Sequence, residues 1–212
     1  MGLVHNGATD AAVHAVTFEI ADGEVVGLVG QEDSGAATVV RMIAGSTPID
    51  AGELLINGSR VNELTPLRRN VVFLGTASAT MGDLTVAEAL AFPLRVRHLP
   101  QAAIQERVQR VAALFGLVEW LHRRQSTVSG ITRQRVAAAG TMMRDANVHL
   151  FVEPFRADPT EQLQLWTQLA HAGRALGATV LFATANADHA RAVADRVMVL
   201  SSGRIERIET GR

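Results

Sequence analysis

The order of apolar and polar positions predicts strands that alternate with helices along most of the chain. Short β-branched apolar runs indicate buried strands, and segments whose apolar residues recur every three to four positions indicate helices. Strands are predicted at 13–20, 25–29, 51–58, 69–74, 148–152, 179–184, 196–200 and 204–206. Helices are predicted at 35–45, 129–143, 161–176 and 188–194, and the segment 84–124 is predicted to be mostly helical, with interruptions at Pro93 and Pro100. This alternation favours an α/β fold, with a mainly parallel sheet flanked by helices and an antiparallel piece near the N-terminus.

Composition then narrows the functional classes. The chain has 212 residues, 48% of them hydrophobic, and a formal net charge of -1. Such a balance gives no electrostatic footprint for nucleic acid, so we expect no nucleic-acid partner. The absence of cysteine excludes disulfides and thiolate metal sites. The sequence has no run of about 18 apolar residues, so no membrane-spanning helix is predicted. Its first residues lack the basic segment followed by an apolar one that marks a cleaved signal.

The segment from residue 25 to residue 45 has the frame of a phosphate-binding loop. An apolar run stops at Gly30 and helical spacing resumes at Gly35, as in the pattern G-x-x-x-x-G-K-[ST]. In that pattern backbone N–H groups cradle the phosphates, the lysine reaches the outer phosphates, and the hydroxyl binds Mg²⁺. Here Ala36 and Ala37 occupy the lysine and hydroxyl positions. The frame is therefore present without its side-chain chemistry.

Two further features weaken the case for phosphate binding at this loop. All 20 basic residues are arginine, so no lysine from elsewhere could replace the missing one. Glu32 and Asp33 also place two carboxylates beside the position of a triphosphate, where like charges repel. The residues of this predicted degenerate nucleotide-binding loop are Gly30, Ser34, Gly35, Ala36, Ala37 and Thr38.

From about residue 12 to residue 207 the chain resembles an ATP-binding cassette, the nucleotide-binding subunit of ABC transporters, and most of all those of sugar-type importers. The resemblance rests on framework segments at 22–24, 41–45, 52–53, 69–71, 84–86, 129–130, 133–137, 153–154 and 194–205. It implies a P-loop NTPase-like fold with an N-terminal antiparallel β subdomain. It also implies a single cassette domain over residues 1–212, with a helical subdomain embedded at about 80–145.

The functional positions of this family carry over unevenly. By the resemblance, Glu153 stands at the general-base position, and Ser129 and Gly130 stand in the signature loop that completes the site of a second, head-to-tail cassette. Plainer interpretations stay open: Glu153 as a vestigial acid at a strand end, and Ser129 as a helix cap. The lost positions are Gly7 for the adenine-stacking aromatic, Thr76 for the metal-linking glutamine, Val152 for the magnesium acid and Ala185 for the switch histidine.

The resemblance implies a degenerate cassette subunit that does not hydrolyse ATP and acts as a structural or regulatory coupling subunit. Its expected partners are a membrane permease and a second cassette, identical or active, and its expected place is the cytoplasmic face of the cell membrane. We expect no metal site and no resident cofactor, with ATP and Mg²⁺ bound only if the altered loop still holds them. Two alternatives remain open: slow hydrolysis through an altered loop in which Ser34 or Thr38 serves the metal, and a soluble scaffold or regulator unrelated to transport.

Overall fold

A computed structural model describes residues 13–75 and 83–211. Two of the motif positions named above, Gly7 and Thr76, lie outside these ranges. Contacts divide the described chain into two units. The core unit comprises residues 13–73, 146–153 and 177–211, and the helical unit comprises residues 74–75, 83–145 and 154–176.

Eight strands and six α-helices are defined in the described ranges. The strands are β1 (Val25–Val29), β2 (Leu55–Ile56), β3 (Ser59–Arg60), β4 (Val71–Leu74), β5 (Val148–Val152), β6 (Val180–Thr184), β7 (Arg196–Ser201) and β8 (Arg204–Thr210). The helices are α1 (Ala36–Ala44), α2 (Val86–Val96), α3 (Gln101–Leu114), α4 (Gly130–Met142), α5 (Pro159–Leu176) and α6 (Ala187–Val193). The predicted alternation of strands and helices is confirmed.

The main sheet has the strand order β4-β5-β6-β1-β7-β8. Strands β5, β6, β1 and β7 run parallel to one another, while β8 returns antiparallel to β7. Strands β2 and β3 form a separate antiparallel hairpin. The carboxyl ends of β5, β6, β1 and β7 therefore share one edge of the sheet, which is where α/β folds place their ligand sites.

Helix α1 begins directly after the loop that follows β1. Its apolar face, which includes Val39, Val40 and Ile43, is fully buried against the sheet. At its other end the buried guanidinium of Arg69 donates to the carbonyl oxygens of Met42 and Ile43, at 2.6 and 3.1 Å. Burial lowers the pKa of Arg69, partly offset by the charge of Glu63. A cation at these carbonyls complements the negative end of the helix dipole and fixes α1 in place.

The helical unit is held by caps and aromatic packing. Helix α2 starts with a capping box in which Thr85 Oγ1 accepts from Glu88 N–H at 3.2 Å and Glu88 Oε2 accepts from Thr85 N–H at 2.8 Å. On α5, the buried Trp166 ring lies 5.0 Å from the Phe155 ring at 78°, an edge-to-face pair. None of the helices in the described ranges is both long enough and apolar enough to cross a membrane.

Some predicted boundaries are wrong. Residues 13–20 do not form a regular strand, because Ala15 adopts a left-handed φ of 49° that interrupts the extended run. Only Leu55 and Ile56 of the segment 51–58 are strand, because Asn57 and Gly58 form the turn to β3, with φ of 50° and 72°. Helix α5 begins at Pro159, two residues before the predicted start.

Candidate functional site

The loop between β1 and α1 has the backbone form of a phosphate loop. Asp33 and Gly35 both adopt left-handed conformations, with φ of 68° and 92°. A Cβ on Gly30 would lie 2.1 Å from Ser34 Oγ and 2.8 Å from the carbonyl oxygen of Leu200, so only glycine fits there. Ser34 Oγ in turn accepts from Ala36 N–H at 3.3 Å. Close packing and internal hydrogen bonds thus set the loop's shape.

The side chains at the positions that the resemblance assigns to the phosphate lysine, the hydroxyl and the magnesium acid lie in or against the hydrophobic core. Ala36 and Val152 are 3% and 5% exposed and pack in one apolar cluster, and the partly buried Ala37 packs against it. None of the three offers a charge or an oxygen to a nucleotide or to Mg²⁺. The residues present therefore do not fit the magnesium–nucleotide group that the loop frame implies.

Backbone donors nevertheless remain at this loop. The N–H groups of Gly35, Ala37 and Thr38 donate to no acceptor within the part of the chain that the structure describes. Such groups at the start of a helix attract anions. The exposed carboxylates of Glu32 and Asp33 form no ion pair there with any described residue, so their charge opposes an anion at the same place.

Glu153 follows β5 and is bonded to the backbone of the neighbouring strand end. Its carboxylate Oε1 accepts from Ala185 N–H at 2.6 Å, and its own N–H donates to Ala183 O at 3.1 Å. Its φ of 40° lies in the left-handed region, which is uncommon for glutamate. The structure thus brings together two of the predicted positions, the general-base glutamate and the residue at the switch-histidine position.

A pocket of about 420 Å³ lies at the carboxyl ends of β1, β6 and β7. Beside the loop residues and Ala185, its lining includes Ser201, Ser202, Glu206 and Arg207 from the β7–β8 hairpin. The sequence analysis missed these four, because their contribution depends on β7 lying next to β1. Arg207 and Arg191 form ion pairs with Glu209. Hydrogen bonds from Arg191 and then Arg207 lower the pKa of Glu209 to about 2.

Ser129 and Gly130 open α4 in the helical unit. Ser129 is the N-cap, and its Oγ accepts from Thr132 N–H at 3.2 Å, so the helix-cap interpretation is confirmed. No acidic residue lies in the first turn of α4. The predicted role of this pair toward a second cassette stays a prediction. Within the described ranges, no group of three or more His, Cys, Asp or Glu side chains could hold a metal ion.

Comparison with known proteins places these features in a family. A family model described as ABC transporter matches residues 13–156. The chain is 37% identical over 206 residues, 97% of its length, to the sn-glycerol-3-phosphate import ATP-binding protein UgpC of Chromohalobacter salexigens. It is 34% identical over 202 residues, 95% of its length, to the oligosaccharides import ATP-binding protein MsmX of Bacillus subtilis. The chain spans 55% of the length of each relative.

Solved structures share the fold at low sequence identity. CbiO1 of Clostridium perfringens, part of the ABC transporter complex cbiONQ, superposes with a TM-score of 0.87 at 21% identity, covering 98% of this chain and 86% of that one. The ATP-binding cassette MJ0796, in a dimeric post-hydrolysis state with ADP and Pi, superposes with a TM-score of 0.79 at 22% identity, covering 100% and 97%. These likenesses confirm the predicted cassette fold. With a family model matching most of its length, the chain belongs to the ABC transporter family.

Proposed function

We propose that this chain is the cassette subunit of an importer and that its own nucleotide site is degenerate. In this proposal it docks on a membrane permease at the cytoplasmic face of the cell membrane, pairs with a second cassette and transmits or restrains motion without hydrolysing ATP. The proposal includes one cassette domain over residues 1–212, with the helical subdomain embedded at about 80–145. The matched relatives are named for import of sn-glycerol-3-phosphate and of oligosaccharides, which supports a sugar or polyol-phosphate cargo.

One observation carries the proposed loss of hydrolysis. Ala36, Ala37 and Val152 replace the lysine, the hydroxyl and the magnesium acid of the family pattern, and all three pack into or against the hydrophobic core. Phosphoryl transfer depends almost entirely on positioning and charge stabilisation of the phosphates. A site without these groups leaves Glu153 with no positioned substrate to act on. The import ATP-binding names of the relatives support the subunit class, and the chemistry at these three positions supports the loss of turnover.

A second candidate function has an observation in its favour. The N–H groups of Gly35, Ala37 and Thr38, which donate to no described acceptor, could hold phosphate by the loop backbone alone, which would allow weak ATP binding and slow hydrolysis. Of the two hydroxyls considered for the metal, Ser34 is only 7% exposed and its Oγ already accepts from Ala36 N–H. The partly buried Thr38 is therefore the better metal ligand in this candidate.

Steady-state ATPase assays on the isolated chain test the proposal. We expect no MgATP turnover above that of a mock purification, and no change on Glu153→Gln. Turnover that exceeds the mock and disappears with Glu153→Gln would overturn the proposal, since only a working general base responds in that way. The double variant Ala36→Lys/Ala37→Thr separates the two candidates. It creates nucleotide affinity where none existed if the site is degenerate, and strengthens an existing affinity if the altered loop binds ATP.

A further inference from the structure

Glu153 is a glutamate at the position where this family has its general base. The lysine, hydroxyl and magnesium-acid positions around it hold Ala36, Ala37 and Val152 instead. The backbone of Glu153 adopts φ of 40°, a conformation that costs free energy for a non-glycine residue and persists only when the surroundings impose it. Two hydrogen bonds impose it here. Glu153 N–H donates to Ala183 O at 3.1 Å, and Glu153 Oε1 accepts from Ala185 N–H at 2.6 Å. Together they fasten the end of β5 to the end of β6.

Two further backbone hydrogen bonds connect the carboxyl ends of neighbouring strands at this edge of the sheet. The carbonyl oxygen of Thr184, which is 3% exposed, accepts from Gly30 N–H at 3.2 Å, so the end of β6 also holds the first residue of the loop. At the far side of the loop, the carbonyl oxygen of Ser34 accepts from Gly203 N–H at 2.9 Å in the β7–β8 turn. Four neighbouring strands, β5, β6, β1 and β7, are therefore joined at their carboxyl ends by the protein's own groups.

We infer that Glu153 is a positioning residue that holds the Ala185 segment, and through Thr184 the start of the loop, in place without nucleotide. A carboxylate that accepts from a backbone N–H forms a charge-assisted bond, stronger than a bond between neutral groups. Because β5 lies next to β6 in the sheet, the residue that follows β5 can form a hydrogen bond with the residue that follows β6, 32 positions later in the sequence. The inference goes beyond the proposed function, since it assigns Glu153 a task that requires neither ATP nor a second cassette.

Three substitutions at this position distinguish positioning from catalysis. Glu153→Gln removes the charge but retains a carbonyl oxygen at the same reach, so it still accepts from Ala185 N–H. Glu153→Asp retains the charge but is one methylene shorter, and Glu153→Ala removes the acceptor. A positioning role therefore groups Gln with the native glutamate and groups Asp with Ala. A general base would instead be disabled by Gln as thoroughly as by Ala.

Residue-resolved amide hydrogen exchange, measured by NMR on the nucleotide-free chain, provides the test. We expect exchange at Ala185 to accelerate by about tenfold or more in Glu153→Ala and Glu153→Asp, and to stay within about threefold of the native rate in Glu153→Gln. Core amides of Val26 and Leu28 in β1 serve as the internal reference and should not change. Glu32→Ala is the matched control, because Glu32 lies at the same edge and forms no hydrogen bond with any described residue.

Three results would overturn the inference: native exchange at Ala185 in Glu153→Ala, equal acceleration in Glu153→Gln and Glu153→Ala, or acceleration of Ala185 and the core amides by the same factor. If Glu153→Ala does not fold, comparison of Glu153→Asp with Glu153→Gln still tests the inference, because only Glu153→Asp should accelerate exchange at Ala185. The readout needs no nucleotide, so it fails or succeeds independently of the ATPase assays. Turnover in those assays with intact tethering here would contradict the proposed function alone.

Discussion

Gly30 leaves no room for a side chain in the loop between β1 and α1. A Cβ at this position would overlap the side chain of Ser34 and the carbonyl oxygen of Leu200. The carbonyl is part of the backbone, so it cannot move away by changing a side-chain rotamer. We therefore expect Gly30→Ala to lower the free energy of unfolding by about 2 kcal/mol or more. Urea denaturation followed by circular dichroism measures the change.

Gly140 in α4 provides a control of the same chemistry. A Cβ there would meet nothing within 4 Å. Gly140→Ala should stabilise the chain by about 0.5 to 1 kcal/mol, because alanine is the better helix former and restricts the unfolded chain. If both variants had the same effect, the close packing described for the loop would be incorrect.

At the scale of elements, the start of α2 depends on one side chain. Thr85 Oγ1 satisfies Glu88 N–H, while Glu88 satisfies Thr85 N–H in return. The Thr85 bonds also lower the pKa of Glu88. Thr85→Ala should cost about 1 kcal/mol of unfolding free energy, the usual cost of a lost N-cap. Ser126→Ala is the comparison, since the exposed Ser126 hydroxyl has no hydrogen bond within the described ranges. Equal losses in the two variants would rule out a specific capping contribution.

The link between α6 and β8 should depend on pH. Glu209 has its pKa lowered from an ordinary value near 4.5 to about 2, first by Arg191 and then by Arg207. A depressed carboxyl pKa means that the ionised form stabilises the fold. This contribution is complete above about pH 4.5 and is lost as the pH falls toward 2.

Carboxyl-carbon NMR titration of Glu209 checks this directly. Arg191→Ala should raise the pKa of Glu209 toward its ordinary value, because it removes the largest cause of the shift. Arg204→Ala removes an arginine from the same strand that forms no ion pair with any residue the structure describes, and it should leave the titration unchanged. A titration that Arg191→Ala does not move would contradict the assignment.

At the scale of the whole molecule, the apolar pattern predicted most of the fold. Buried strands of a parallel sheet appear as continuous β-branched runs, so β1, β5, β6 and β7 could be placed within a residue or two. The segment 13–20 could not, because Ala15 adopts a left-handed φ that alanine rarely takes and that the apolar pattern does not predict. The composition of the loop likewise places alanine at residues 36 and 37, and the loss of nucleotide chemistry that this implies stays a prediction.

The contacts between segments that are distant in sequence could not be predicted from the apolar pattern. The hydrogen bond from Ala185 to Glu153 requires β5 and β6 to be neighbours, and the Arg69 cap of α1 requires residues 26 and 27 positions apart to meet. The part of the pocket formed by the β7–β8 hairpin also depends on strand order. Strand order is a property of the assembled sheet, so a local pattern of apolar residues does not reveal it.

We propose that a cassette fold persists here around a site that does not bind MgATP productively. Calorimetric titration of the purified chain with MgATP tests it most directly, at concentrations that would detect a dissociation constant of about 1 mM, or roughly 4 kcal/mol of binding free energy. We expect no saturable heat for the native chain and measurable binding only after Ala36→Lys/Ala37→Thr. Saturable binding to the native chain would contradict this proposal and show that the loop backbone alone holds the phosphates.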